Sequence, residues 1–228
     1  MRIPSKTTSM LSLFLVLLFV LFFTPPGLAQ TTDSEQGSLL DDAKLRALFL
    51  PDNLHPFAES PIFIPVNSES FVPSVDFLRR YSRLIGLNSE KTVLIIGRGT
   101  GFSAAYMAAR SKRVLVVELD QELREEYEDL WPTIALEKIT SIDYREFLED
   151  PNRESLDLVF FHGVIKAIPA LIMDALADGG VILAPLSDAE GGQNLLIMRK
   201  NADRWRVESG HGSSFPSKPI ALPGSARD

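Results

Sequence analysis

Three glycines at alternate positions, in Gly97-Arg98-Gly99-Thr100-Gly101, follow the apolar run TVLII and lead into the small-residue stretch FSAAYMAA. A buried strand that ends in glycine and turns directly into a helix presents backbone N–H groups to a nucleotide-like molecule, with no Cβ to hold it away. The next apolar run, VLVVELD, ends at Glu118, about 20 residues beyond the loop, where a carboxylate accepts hydrogen bonds from two ribose hydroxyls. Asp120 is close by, but Glu118 sits nearer the expected strand tip and is the assigned acid. A loop that grips a pyrophosphate spaces its glycines GxGxxG. Here Phe102 takes the sixth place, so the spacing fits a cofactor without a pyrophosphate. Taken alone, the same residues also describe a tight turn beside a solvated strand end.

The elements that would position this loop repeat in a regular order. VLIIG, VLVVELD, KITSID, LDLVFFHG, GGVILAPL and NLLIMRK are short apolar runs, with helical stretches expected at 102–110, 121–130 and 166–177. Alternating β and α units with continuously apolar strands predict an α/β fold, a parallel sheet covered on both faces. A helix is expected from Ser74 to near Gly86, with Val75, Leu78, Leu84 and Ile85 sharing one face. Upstream, residues 30–50 read as a polar leader followed by a helix. Residues 51–73 hold Pro51, Pro56, Pro61, Pro65 and Pro73, which predicts an irregular loop.

The ends and the composition narrow the function classes. Arg2 and Lys6, an apolar run over 10–23 and the small residues up to Ala29 form a three-part export signal over 1–29, with cleavage expected after Ala29. The run is shorter than the roughly 20 residues of a spanning helix. The expected location is therefore the bacterial periplasm or the exterior, without a membrane partner once the signal is removed; an uncleaved signal would leave a membrane anchor. The chain carries a net charge of −7 and no cysteine. The first gives no electrostatic case for nucleic-acid binding, and the second excludes disulfides, thiolate metal sites and a cysteine nucleophile. His55 and His211 have no partners at metal-ligand spacing, so no metal is expected.

Further residues carry a family resemblance. LDLVFFHGVIKAIPALIMDALADGGVILAPL over 156–186, GGQNLLIMRK over 191–200 and RALFLP over 46–51 resemble the corresponding segments of protein-L-isoaspartate O-methyltransferases, which are S-adenosylmethionine-dependent. The likeness implies a Rossmann-like methyltransferase domain over 74–228, with a C-terminal tail and a mostly parallel seven-stranded sheet. It implies S-adenosylmethionine as cofactor, its methionine end at Gly97, Gly99 and Gly101 and its ribose at Glu118. Asp143, in SIDY, falls where the family places an acid near the adenine, though it serves equally as a helix N-cap before YREFLED. The implied partner is a protein or peptide bearing a carboxylate, and the reaction is a direct methyl transfer to that carboxylate.

The chain departs from the family before its cofactor strand. The family's TIS-like segment, which contributes a hydroxyl on the substrate side, aligns without gaps with Phe71-Val72-Pro73, which puts Pro73 at the hydroxyl's place; a small shift offers Ser70 or Ser74 instead. His162 follows the fourth expected strand, where substrate and methyl group would meet; it is a candidate base or polarising group, and equally a structural histidine. Arg98 replaces a small or polar residue in the glycine loop, either pairing with the cofactor's carboxylate or facing solvent. These departures, with the export signal, leave a second function class open: a binding or scaffold protein on a catalytically degraded methyltransferase fold. A nicotinamide-dependent oxidoreductase is disfavoured by the glycine spacing.

Overall fold

The computed structural model describes residues 63–65, 71–133, 137–150, 153–212, 220 and 222. The export signal, the helix expected before Pro51 and Ser70 lie outside the described residues. Within them the chain runs β1 (Phe63–Pro65), β2 (Phe71–Pro73), α1 (Val75–Ile85), β3 (Thr92–Gly97), α2 (Gly101–Ala108), β4 (Arg113–Glu118) and α3 (Gln121–Thr133). It continues through β5 (Ile139–Ser141), α4 (Tyr144–Glu149), β6 (Leu156–His162), α5 (Ala170–Ala175), β7 (Leu176–Ser187), β8 (Gln193–Asn201) and β9 (Arg204–Gly212).

Seven strands form one sheet in the order β5-β4-β3-β6-β7-β8-β9. The first five are mutually parallel, and β8 and β9 close the far end as an antiparallel meander. β3 lies in the middle of the parallel part and is buried along its whole length, which is why its sequence is apolar on both sides. Alternate residues feed two cores. Val93 and Ile95 pack with α1, α2 and α3 on one face, while Leu94 and Ile96 pack with α4 and α5 on the other. The expected α/β sheet with helices on both faces is therefore present.

Local chemistry sets the helix ends. Ser74 caps α1 by accepting from the Phe77 amide at 3.1 Å. Gly86, at φ 70°, ends it in the left-handed conformation that glycine adopts without steric cost. α2 is buried on every side, and its alanines, glycine and serine let it approach the sheet closely.

Four expectations need correction. The proline-rich stretch is not wholly irregular: β1 and β2 pair antiparallel within it, with Pro65 and Pro73 as their last residues, where a missing N–H is tolerated. Leu84 is exposed; it falls past the edge of the apolar stripe, and Phe77 takes its place in the core. α5 begins at Ala170, not Lys166, because Pro169 holds the extended N-cap conformation. Finally, β9 occupies part of what was read as tail. It is an edge strand whose charged residues alternate with Trp205, half-buried against the second core, and with Val207, which is exposed.

Candidate functional site

The sheet register sets three strand tips side by side. Gly97, the last residue of β3, is the partner of Glu118 on β4 and of His162 on β6. A Cβ on Gly97 would lie 2.1 Å from the His162 carbonyl oxygen, so only glycine fits between them. The chain then turns through Arg98, Gly99 at φ 68°, and Thr100 into α2. The glycine loop is thus flanked by one carboxylate and one imidazole.

Glu118 is buried, at 6% exposure, and holds the loop. Its Oε2 accepts from the Thr100 amide at 2.8 Å and from the Thr100 hydroxyl at 2.9 Å. Its Oε1 accepts from the Asp120 amide at 3.0 Å. Burial raises its pKa, against the pull of these donors and the Gly99 amide. A carboxylate has about four acceptor sites, and the amides of Gly99, Thr100 and Asp120 with the Thr100 hydroxyl engage them in this structure, so a ligand hydroxyl would take the place of one of these donors. The Asp120 carboxylate is engaged elsewhere, capping α3 by accepting from the amides of Glu122 and Leu123. From α3, the buried Tyr127 hydroxyl receives the Gly101 amide, and its pKa is raised chiefly by burial and then by the charge of Glu118.

Beside Glu118 opens a pocket of about 240 Å³, lined among others by Leu119, Gln121, Arg124, Ile142 and Asp143. Asp143 is the N-cap of α4, its Oδ1 accepting from the amides of Arg145 and Glu146 at 2.8 and 3.0 Å. Those amides hold its carboxyl below the usual range. The N-cap reading of Asp143 is thus present in the structure, and the residue also borders the pocket that Glu118 lines.

His162 is 1% exposed, and its Nδ1 lies 2.8 Å from the Arg98 carbonyl oxygen. A carbonyl only accepts, so Nδ1 carries the proton. Burial lowers its pKa to about 4, and the ring is neutral at pH 7. β2 lies against α2 and leads to Ser74, which is buried with its oxygen occupied by the Phe77 amide. Its own hydrogen can still be donated. Thr100 and Tyr127 were not singled out in the sequence. The first could have been, as a hydroxyl inside the glycine loop, whereas no spacing rule points to the second.

Residues 42–214 match the family model described as protein-L-isoaspartate(D-aspartate) O-methyltransferase. The chain belongs to the protein-L-isoaspartate O-methyltransferase family. Among curated members, it is 24% identical over 164 residues to protein-L-isoaspartate O-methyltransferase 2 of Shewanella sediminis, covering 71% of this chain and 66% of that protein. It is 25% identical over 186 residues to a protein-L-isoaspartate O-methyltransferase of Synechococcus sp., covering 78% and 73%. A solved protein-L-isoaspartate O-methyltransferase superposes with a TM-score of 0.60 at 18% identity, over 70% of this chain and 53% of that one. The Plasmodium falciparum structure described as a putative protein-L-isoaspartate O-methyltransferase in complex with S-adenosyl-L-homocysteine gives 0.56 at 14% identity, over 77% and 94%. The chain thus spans about two thirds of the first of these relatives and about half of the first solved structure. Membership in the protein-L-isoaspartate O-methyltransferase family supports S-adenosylmethionine as the cofactor.

Proposed function

We propose that this chain is an S-adenosylmethionine-dependent O-methyltransferase acting on a carboxylate of an altered aspartyl residue in a protein or peptide. The observation that carries the reading is the alignment of Glu118, Gly97 and His162 at neighbouring strand tips, with the glycine loop anchored on the buried carboxylate. The residues fit the cofactor: the Glu118 carboxylate at the tip of β4 borders an open pocket shared with Ile142 and Asp143, and Gly99 turns the adjoining loop at a positive φ. Bound there, the cofactor supplies a methyl group on a positively charged sulfur. Glu118 would accept ribose hydroxyls, Ile142 and Asp143 would border the base, and Gly97 and Gly99 would let the methionine end approach the backbone.

The chain's own chemistry is modest. An acceptor carboxylate is already nucleophilic at neutral pH, so no residue has to remove a proton. Orientation and exclusion of water carry the rate. Ser74 is the described hydroxyl nearest in sequence to the missing TIS-like segment, and its remaining hydrogen would orient the acceptor carboxylate. Ser70 is its alternative. The scaffold reading is favoured by one observation, that Pro73 ends β2 where the family offers a hydroxyl. We also propose that residues 1–29 direct export, on the strength of their basic, apolar and small-residue sequence.

The test is incubation of the purified chain with an isoaspartyl peptide and methyl-labelled S-adenosylmethionine. Base-labile label on the peptide supports the enzyme. Cofactor binding without any transfer, to this or to aspartyl peptides, supports the scaffold. N-terminal sequencing of the protein from an expressing cell, beginning at Gln30, would support export and cleavage; an intact Met1 in the cytoplasm would refute it.

A further inference from the structure

His162 has a place in the site that proton transfer does not explain. It ends β6 opposite Gly97, it is buried, and its ring stands edge-on to Phe160 at 5.8 Å. The Arg98 amide lies 3.4 Å from the His162 carbonyl, so the β3–β6 ladder runs one step past Gly97 into the loop. The imidazole then holds the other end of the same residue, with Nδ1 2.8 Å from the Arg98 carbonyl. Arg98 is therefore gripped at both its N–H and its C=O by one residue of the neighbouring strand. Immediately afterwards Gly99 takes its positive φ, and Thr100 is caught by Glu118 from β4. The loop is tied from both flanking strands: Glu118 accepts from its amides, and His162 donates to its carbonyl.

We infer that His162 is a positioning residue of the cofactor loop, fixing the Arg98–Gly99 peptide in the orientation that admits the cofactor's methionine end. The chemistry agrees. A carboxylate acceptor needs no base. The Arg98 carbonyl fixes the tautomer with hydrogen on Nδ1, and burial keeps the ring neutral across the physiological range. Its buried donor strengthens the loop because a polar group withdrawn from water and left without a partner costs more than the bond itself contributes. The inference about cofactor affinity rests on the methyltransferase reading; the inference about loop geometry does not.

Two variants of similar size separate the donor from the bulk. In His162→Asn the side-chain amide stands where Nδ1–H stood, whereas His162→Leu offers no donor. In the ligand-free full chain, amide hydrogen exchange over 98–101 is expected to be at least tenfold faster in His162→Leu and within threefold of wild type in His162→Asn. Affinity for S-adenosylhomocysteine, by calorimetry, is expected to fall at least tenfold in the first and to be restored within threefold in the second. With an isoaspartyl peptide as acceptor, His162→Leu is expected to raise the cofactor KM and leave kcat within threefold. Unchanged loop exchange in His162→Leu overturns the inference. So does a large fall of kcat in His162→Asn with wild-type loop exchange, which would make the imidazole a proton carrier. If His162→Leu does not fold, His162→Asn decides alone: wild-type loop exchange supports the inference, and tenfold faster exchange overturns it. If wild type binds no cofactor product, the methyltransferase reading fails, while loop exchange still judges His162.

Discussion

The glycine loop opens α2 and the segment before α1 packs against the same helix, yet they are built by different means. The loop is held by the sheet itself. Its supports, Glu118 and His162, are register partners of Gly97, so their positions follow from strand pairing deep in the core. The proposed acceptor side rests on two three-residue strands that end in proline and on a serine whose oxygen caps a helix. A cofactor common to many reactions is recognised by backbone and one carboxylate, which a sheet positions well. An acceptor is recognised by loops, which can change without disturbing the sheet.

The largest expected effect lies on the loop side. Gly97→Ala places a Cβ 2.1 Å from a backbone oxygen of β6, and overpacking against backbone costs about 3 kcal/mol. Urea unfolding should show that loss, together with the loss of cofactor binding; a variant as stable as wild type would mean the strand tips are not held as described.

Acid should loosen the same side. The His162 pKa is lowered to about 4 in the fold against about 6.5 unfolded. Its contribution is therefore complete above pH 6.5, declines as pH falls, and is lost near pH 4. Between those limits stability should drop by roughly 3 kcal/mol, and His162→Asn should flatten that slope. An equal slope in the variant would assign the acid sensitivity elsewhere.

Glu118→Ala should weaken S-adenosylhomocysteine by about tenfold or more, the loss of a charge-assisted acceptor. In wild type, affinity should also fall as pH drops toward the raised pKa of this carboxyl, because the protonated form offers fewer acceptor sites. Titrations at constant ionic strength across mildly acidic pH would read this directly.

On the acceptor side the effects are smaller and of another kind. Ser74→Ala should cost about 1 kcal/mol of stability through the lost N-cap and leave cofactor affinity unchanged; a change in affinity would erase the separation between the two regions. Asp143→Asn should do least, since asparagine also caps a helix, with cofactor affinity within about threefold of wild type by calorimetry.

The same contrast explains what could be read in advance. The strand, the glycine loop and Glu118 were legible because continuous apolar runs mark a central parallel sheet and glycine marks where the backbone must approach. Glu118 is preferred to Asp120 for its place at the strand tip; in the structure Glu118 holds the glycine loop and Asp120 caps a helix. Asp143 was ambiguous because a helix N-cap and an acid beside the adenine ask for the same residue type at the same place. β1 and β2 were hidden by their prolines, which are tolerated at strand ends although they argue against strands in general. β9 was hidden by its charges, since an edge strand needs only one apolar face. The grip of His162 on Arg98 could not be read at all: it depends on register between residues 64 apart, which no local pattern encodes.

The central claim is that the loop between β3 and α2, anchored on Glu118, is a working S-adenosylmethionine site. Calorimetric titration of the purified chain with S-adenosylhomocysteine tests it most directly. Saturable binding of one molecule per chain, weakened at least about tenfold in Glu118→Ala, is the predicted result. No binding of either S-adenosylhomocysteine or S-adenosylmethionine to the folded wild-type chain would contradict it.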